Sequence, residues 1–407
     1  MQLETKLPIE ILDLIVHYST TDTRAHLSAV SQNAYTVSVR TLYASIPEMN
    51  ITRTSQCLLT LSMRPDLARL VRSYCFYISP CRRILQAFSP LLSYALSNMK
   101  NLRTLSLDVN EDTTIQLLEQ VSSRLTKLAL SIPDKSSYPI SQFLSNQPTI
   151  EELLLVCGLE DLSTLNTEAL PLLRDLTAPL HVLSKLLPSR LSHMSQVSVL
   201  GIMTSQAKLI LLATILGQSN PPESLALIIN VKYTAVPTAI SQGLRFLGQM
   251  APFVSLLLLR KCGGDIKPSK LRDMFISVLP SFPNLKHLVL DSRPPSSSAY
   301  IRNARTQTQD ETQPIQTFSK ALISDKTAVS LFQMLSNTGG MTSAFLARHS
   351  APFEPNRMQN QPTSSLDVFY DRSRLLHIVK AWRRVHPGLE WVVFPVGVYS
   401  LRKSGDD

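Results

Sequence analysis

The feature of this sequence that most constrains its fold is a short aliphatic pattern, L-x-x-L-x-L, which recurs from about residue 70 onward. Five successive copies begin at Leu102, Leu125, Ile150, Leu173 and Val197, at intervals of 23, 25, 23 and 24 residues. Alternate side chains of a strand lie on the same face, so each copy predicts a short β-strand with one apolar face. A single strand of this kind cannot bury that face alone, and each one therefore needs neighbours of the same kind.

These intervals fall within the range of about 20 to 29 residues that is typical of leucine-rich repeats. The predicted fold class is α/β, with an irregular leucine-rich-repeat solenoid over residues 70–402. Polar segments at 291–318 and 339–365 have little to bury, and they predict disordered excursions from the solenoid. After them, Leu375, Ile378, Val379, Trp382 and Val385 share one face of a predicted amphipathic helix, so Trp382 is expected in the core.

The strand positions between the core aliphatics predict a second, outward face, on the concave side of the solenoid. This face is polar in the early strands and apolar in the later ones. The candidate target-binding residues on it are Thr104, Ser106, Asp108, Lys127, Glu152, Asp175, Ile228, Leu257 and Trp391. An apolar face of this extent implies either a partner protein or a cover formed by the chain's own excursions, and the sequence leaves both open.

Composition excludes several classes of protein. The net charge is +10, but no run of five or six like charges appears, so we expect an ordinary solvated surface and no nucleic-acid binding. Apolar runs such as 209–216 are too short to cross a membrane, and the N-terminus lacks the apolar region of a signal peptide. The five cysteines form no C-x-x-C pair, which predicts reduced thiols in a cytoplasmic or nuclear protein.

The sequence offers almost no catalytic chemistry. It contains no phosphate-binding loop, nucleophile elbow or zinc-protease motif, and its eight histidines lack metal-ligand spacing. Cys262 beside two glycines suits a repeat turn better than a nucleophile, and the basic face of the 374–384 helix suits a solvated surface. We therefore expect no enzyme activity, no cofactor and no metal site.

The N-terminus carries a different signal, the stretch LPIEILDLI at residues 7–15. Pro8 suits the first helical position, and Glu10, Asp13 and His17 share one narrow polar strip of the predicted helix. Apolar side chains cover the rest of its circumference, so this short helix needs neighbours on two sides. Capping residues then predict two further short helices, which together with the first form a unit over residues 5–46. A linking helical segment is expected at 47–69.

The pattern LPIEILDLI, followed by Asp22, by LSAVS at 27–31 and by Leu42-Tyr43, resembles the F-box motif of fungal F-box proteins. The resemblance implies a substrate receptor of a Skp–cullin–F-box ubiquitin ligase: the helices dock on a Skp-family adaptor, and through it on a cullin–RING ligase, while the repeats hold the target protein. The adaptor-binding positions that it implies are Leu7, Pro8, Ile11, Ile15, Leu27 and Val30. The motif departs from the family pattern at Thr23, Ala34, Tyr35 and Arg40.

Two other functions remain open on the sequence. The first is a leucine-rich-repeat scaffold whose helical unit caps the solenoid without binding an adaptor. The second is an enzyme within residues 291–388, where the repeat pattern is absent.

Overall fold

The structure is a computed structural model with a mixed α/β fold. It describes residues 7–77, 82–108, 114–132, 140–158, 162, 164–218, 220–232, 237–262, 266–292, 372–395 and 397–401. The chain forms two compact units, Met1–His193 and Met194–Asp407. Both predicted excursions lie outside the described residues, except for Asp291 and Ser292 at the start of the first.

The first unit begins with helices and continues with strands that alternate with helices or loops. Its helices are α1 (Ile9–Tyr18), α2 (Thr21–Leu27), α3 (Gln32–Ala44), α4 (Ile51–Met63), α5 (Pro65–Ala68), α6 (Arg82–Asn98), α7 (Thr114–Glu119), α8 (Ile140–Ser145) and α9 (Leu180–Leu186). Its strands are β1 (Ser45–Ile46), β2 (Ser73–Tyr77), β3 (Thr104–Asp108), β4 (Lys127–Ser131), β5 (Glu152–Val156) and β6 (Asp175–Pro179).

These six strands pair in parallel and in chain order. Tyr74, Leu105, Leu128, Leu153 and Leu176 are paired across β2 to β6, and all five are buried. Parallel strands need a returning connection between them, which the helices and loops supply. The α/β class and the strands predicted from the aliphatic pattern in this unit are thus confirmed.

Polar side chains in the turns form hydrogen bonds between neighbouring repeats of the first unit. The Asn101 side-chain amide donates to the carbonyl oxygen of Arg69 over 2.7 Å. Buried Gln147 accepts from the Leu125 N–H and donates to the Ser123 carbonyl oxygen, both over 3.0 Å. These bonds satisfy backbone groups that the irregular turns leave without strand or helix partners.

A buried arginine organises the loop between β5 and β6. The Arg190 guanidinium donates to the carbonyl oxygens of Ala169, Leu186 and Asn166 over 2.9, 3.1 and 2.7 Å. Leu170 in this loop has a φ of 60°, a backbone conformation that costs energy for a branched side chain. The arginine therefore holds in place a loop that has little regular structure of its own.

The second unit repeats the alternation with longer strands. Its helices are α10 (Gln206–Gly217), α11 (Pro237–Met250), α12 (Pro268–Val278) and α13 (Arg372–Val385). Its strands are β7 (Gln196–Met203), β8 (Leu225–Val231), β9 (Val254–Lys261), β10 (His287–Ser292), β11 (Trp391–Phe394) and β12 (Gly397–Ser400). Strands β7 to β11 pair in parallel and in chain order, and β12 pairs antiparallel to β11.

Two irregularities change the face on which predicted residues lie. In β9, Leu225 pairs with Val254 but Ala226 pairs with Leu256, so Ser255 is an extra residue that shifts the alternation by one. The assignment of Leu257 to the outward face is therefore wrong: Leu257 pairs with core residues Leu227 and Leu288, and it is fully buried.

The second irregularity lies in β7, where Gly201 has a φ of 91° and pairing with β8 shifts between Val199 and Ile202. Beyond this shift, Met203 pairs with Val231 and is buried with it. Asn230 of β8 donates weakly to the carbonyl oxygens of Val199 and Gly201, over 3.4 Å each, and so bridges the bulge.

Helix α13 is anchored by Trp382, as the sequence predicts. Trp382 is fully buried, with its ring centroid 4.8 Å from that of Phe275 and 6.1 Å from that of Phe394. Its indole N–H donates to the carbonyl oxygen of Arg272 over 3.1 Å. The apolar ring is thus buried inside the second unit, and the polar N–H of the indole is hydrogen-bonded there.

Tyr74 provides a test of core packing in the first unit. Its ring is fully buried beside Phe76, and no residue in the described ranges forms a hydrogen bond with its hydroxyl. This burial raises the pKa of the phenol. A buried hydroxyl without a partner costs about 1 to 3 kcal/mol. We expect Tyr74→Phe to raise the free energy of unfolding by about 1 kcal/mol in urea denaturation, since it removes that hydroxyl alone.

The contrasting variant is Tyr74→Ala, which also removes the ring and should lower the free energy of unfolding by about 3 to 5 kcal/mol. A loss of stability in Tyr74→Phe would show that the hydroxyl does have a stabilising partner.

Candidate protein-binding surface

Among the described residues of the first unit, exposed apolar side chains are concentrated on helix α1 and at Leu7 just before it. It begins one residue later than predicted, with Pro8 as its N-cap, and the Pro8 carbonyl oxygen accepts from the N–H groups of Ile11 and Leu12. Val16 is the one residue of this ten-residue helix that is buried. The exposed fractions are 54% for Leu7, 52% for Ile9, 42% for Ile11, 54% for Leu14 and 42% for Ile15. We call these five residues the α1 surface.

Side chains from the next two helices fix the position of α1. Arg24 of α2 donates to the carbonyl oxygens of Val16 and His17 over 2.8 and 2.9 Å. A guanidinium at this end satisfies free carbonyl groups and suits the negative end of the helix dipole. Helix α1 also contacts α3, so its exposed face is presented by a braced helix.

The caps of α2 and α3 follow the sequence prediction. The hydroxyl of Thr20 accepts from the N–H of Thr23, and the hydroxyl of Ser31 accepts from the N–H of Ala34. The three short helices thus form as the capping residues indicate.

The structure brings most of the implied adaptor-binding residues to the surface. Leu7, Pro8, Ile11 and Ile15 are all exposed along α1. Val30, in the turn before α3, is 72% exposed, whereas Leu27 at the end of α2 is partly buried. Leu27 therefore packs within the helical unit, whereas the other five side chains are accessible to a partner.

Further exposed apolar residues on these helices were absent from the predicted set. They are Ile9, Leu14, Tyr18 and Tyr35. Ile9 and Leu14 carried a signal, because they lie within the same apolar stretch of α1. The exposure of Tyr18 and Tyr35 depends on how α1, α2 and α3 pack, which residue spacing does not specify.

The polar outward face of the first unit is more closed than its composition suggests. Ser106 and Asp108 of β3 are buried, while Thr104 and Asp175 are partly buried. Lys127 and Glu152, neighbours on β4 and β5, form an ion pair and keep nearly half of each side chain exposed. Of the predicted target-binding residues in this unit, this pair is the most accessible.

The apolar outward face of the second unit is closed as well. Ile228, Leu258 and Val289 form a buried cluster, against which Leu256 and Val393 pack. Trp391 is also buried. These side chains therefore do not form an open apolar surface at Ile228 and Trp391.

Side chains that could ligate a metal ion are not clustered in the described part of the chain. No group of three or more His, Cys, Asp or Glu side chains among them is arranged to hold a metal ion. Cys57, Cys75, Cys157 and Cys262 form no disulfide bond among the described residues, and Cys81 lies outside that part of the chain. No helix in the described ranges is long and apolar enough to span a bilayer.

Comparison of this sequence with protein-family models and with curated proteins finds no match.

Cys57 on α4 allows a test of thiol reactivity. Burial raises the pKa of its thiol to about 11. Because only the thiolate reacts, roughly one molecule in a thousand is reactive at pH 8, far fewer than for an ordinary cysteine. We expect iodoacetamide to alkylate Cys57 at least tenfold more slowly in the native chain than in urea, as measured by peptide mass spectrometry.

The alkylation rate at Cys57 should rise with pH up to about 11 while the chain stays folded, since the rate is proportional to the fraction of thiolate. Equal rates for native and unfolded chain at pH 8 would contradict the buried position of this thiol.

Proposed function

We propose that this chain is a non-catalytic substrate receptor of a Skp–cullin–F-box ubiquitin ligase, with α1 docking on the Skp-family adaptor. The observation that carries the proposal is the α1 surface: five aliphatic side chains, each 42 to 54% exposed, on a helix that buries only Val16 within its own unit. The resemblance of LPIEILDLI to the F-box motif names the partner, and the exposure of these residues supports it.

The energetics favour a protein partner for the α1 surface. Burying an aliphatic side chain contributes roughly 1.5 to 3 kcal/mol, so five half-exposed aliphatics represent several kcal/mol that the isolated chain leaves unused. A concentration of exposed apolar side chains on one short helix is a feature of interaction sites. Exposed Glu10 and Asp13 lie on the same helix and supply polar groups beside the apolar ones. An apolar centre with a polar rim is the usual anatomy of a protein interface.

The repeating strands support the target-binding half of the proposal. Both units present parallel strands in chain order, which suits an irregular leucine-rich-repeat solenoid. In the proposed function no bond is made or broken on this chain. It holds a target near the ligase, and its contribution is the high effective concentration that tethering produces.

The docking proposal predicts the effect of Leu7→Ala combined with Ile11→Ala. Each truncation removes apolar surface that the complex would bury, so we expect the Kd for a purified Skp-family adaptor to rise by about a hundredfold in calorimetry, equivalent to roughly 3 kcal/mol. Because both side chains are exposed in the free chain, the double variant should keep the thermal stability of the original.

A matched control is Leu59→Ala combined with Met63→Ala. These side chains of α4 are 49% and 71% exposed in the same unit, but they lie outside the α1 surface. The control should bind the adaptor like the original chain. Adaptor binding that survives the α1 variant, or no binding by the original chain, would reject docking through α1 and leave the scaffold function.

A further inference from the structure

Helix α13 concentrates the positive charge of this chain. Its 14 residues, RSRLLHIVKAWRRV, include five basic residues and no acidic one. The net charge of the whole chain is +10, so this single helix carries an amount equal to half of it. Leu375, Ile378 and Trp382 are buried in the second unit, so the apolar side of the helix is already covered.

The opposite side of α13 is accessible to solvent. His377, Lys380 and Arg384 follow one another at spacings of three and four residues, which places them in one exposed row about 10 Å long. Leu376 lies one turn before Lys380 and is 45% exposed. We call this side the α13 face, and its members are Arg374, Leu376, His377, Lys380, Arg383 and Arg384.

The cations of the α13 face are not neutralised by acids in the part of the chain that the structure describes. The side chains of Lys380, Arg383 and Arg384 make no hydrogen bond or ion pair there. The neighbouring helix α12 has one acid, Asp273, which is ion-paired to Arg272 over 2.9 Å. Like charges one turn apart on a helix repel each other, and an anionic surface would relieve that repulsion.

Helix α12 widens the positive surface. It packs directly against α13, since the Phe275 and Trp382 ring centroids are 4.8 Å apart and the Trp382 indole donates to the carbonyl oxygen of Arg272. Helices in contact lie about 8 to 10 Å apart. Exposed Lys270 and Arg272 of α12 therefore accompany the α13 face, and the basic surface is two helices wide.

We propose that the α13 face binds an anionic membrane surface, with Leu376 entering the boundary between lipid headgroups and acyl chains. Basic clusters on a helix are attracted to acidic headgroups. The long stems of lysine and arginine let their charged ends stay at the headgroups while an apolar neighbour goes deeper. Leu376 among the cations favours lipid, because a purely polar partner would gain nothing from it. This inference goes beyond the proposed function and does not rest on it.

A bilayer fits this surface better than a nucleic acid. The major groove of DNA is about 12 Å wide and admits one helix, whereas α12 lies directly beside α13. Single strands are held by accessible aromatic side chains on which bases stack. The aromatic residues of these two helices, Phe275 and Trp382, are both buried. A flat bilayer can contact two adjacent helices at once.

The test is co-sedimentation of the full chain with lipid vesicles of two compositions. One contains phosphatidylcholine alone, and the other also contains about 30% phosphatidylserine. We expect binding to the anionic vesicles to be tighter by about tenfold or more. Raising the salt concentration from about 0.1 to about 0.5 M should release most of the chain, because salt screens exposed charges.

Two variants of the α13 face and one control define the contact. Lys380→Glu with Arg384→Glu should weaken binding to anionic vesicles by about tenfold or more. Leu376→Ala should weaken it several-fold with no change of charge, since it removes the apolar anchor. The control, Arg53→Glu with Lys185→Glu, makes the same change of net charge at exposed residues of the first unit and should bind normally. Circular dichroism checks that each variant is folded.

Equal binding to the two kinds of vesicle would overturn the proposal, as would unchanged binding in the folded Lys380→Glu, Arg384→Glu variant. Unchanged binding by Leu376→Ala would overturn the insertion of that side chain. Release of the chain from the vesicles by a DNA duplex at equal phosphate concentration would overturn the proposal in favour of a nucleic-acid surface. No adaptor is present in these measurements, so their result is independent of whether α1 docks on a Skp-family protein.

Discussion

The in-register pairing of parallel strands is the constraint on which the rest of this structure depends. Equivalent positions of neighbouring strands pair directly with one another. One buried row is therefore formed by Tyr74, Leu105, Leu128, Leu153 and Leu176. A slip of one residue would turn every such side chain to the opposite face. The same register places the turns side by side. The hydrogen bonds between neighbouring turns, such as that from Asn101 to Arg69, follow from this arrangement.

Helix α1 differs from the strands in that most of its apolar side chains are not buried. Helix α10 is almost as apolar, yet it buries Leu209, Leu212, Ala213, Ile215 and Leu216 in the second unit. Helix α1 buries Val16 alone, although α2 and α3 brace it. The exposed aliphatic side chains of this braced helix are what the proposed adaptor docking requires.

Much of this architecture could be predicted from residue spacing. The aliphatic intervals predicted the strands of the first unit, and the capping residues predicted α2 and α3. Leu257 was misplaced because four consecutive leucines, 256–259, contain no alternation from which to assign faces, and the bulge at Ser255 then decides them. Spacing also identifies which face Ser106 occupies but not how far neighbouring side chains close that face to solvent.

The candidate surfaces divide in the same way. The α1 surface was predictable because its residues are contiguous in sequence and too apolar for one helix to bury. The proximity of Arg72 and Arg103 was not predicted, because these residues are separated by 31 positions and meet only through strand pairing. Local composition therefore signals a surface built from one helix, whereas a surface built from successive turns emerges only from the register.

The central claim, that α1 is a docking helix, is tested most directly by hydrogen–deuterium exchange of the full chain with and without a saturating Skp-family adaptor. We expect the backbone amides of α1 to exchange much more slowly in the presence of the adaptor, while those of α4 keep their free rates, because burial of the α1 surface suppresses local opening of that helix. Unchanged exchange across α1 at saturating adaptor would contradict the claim.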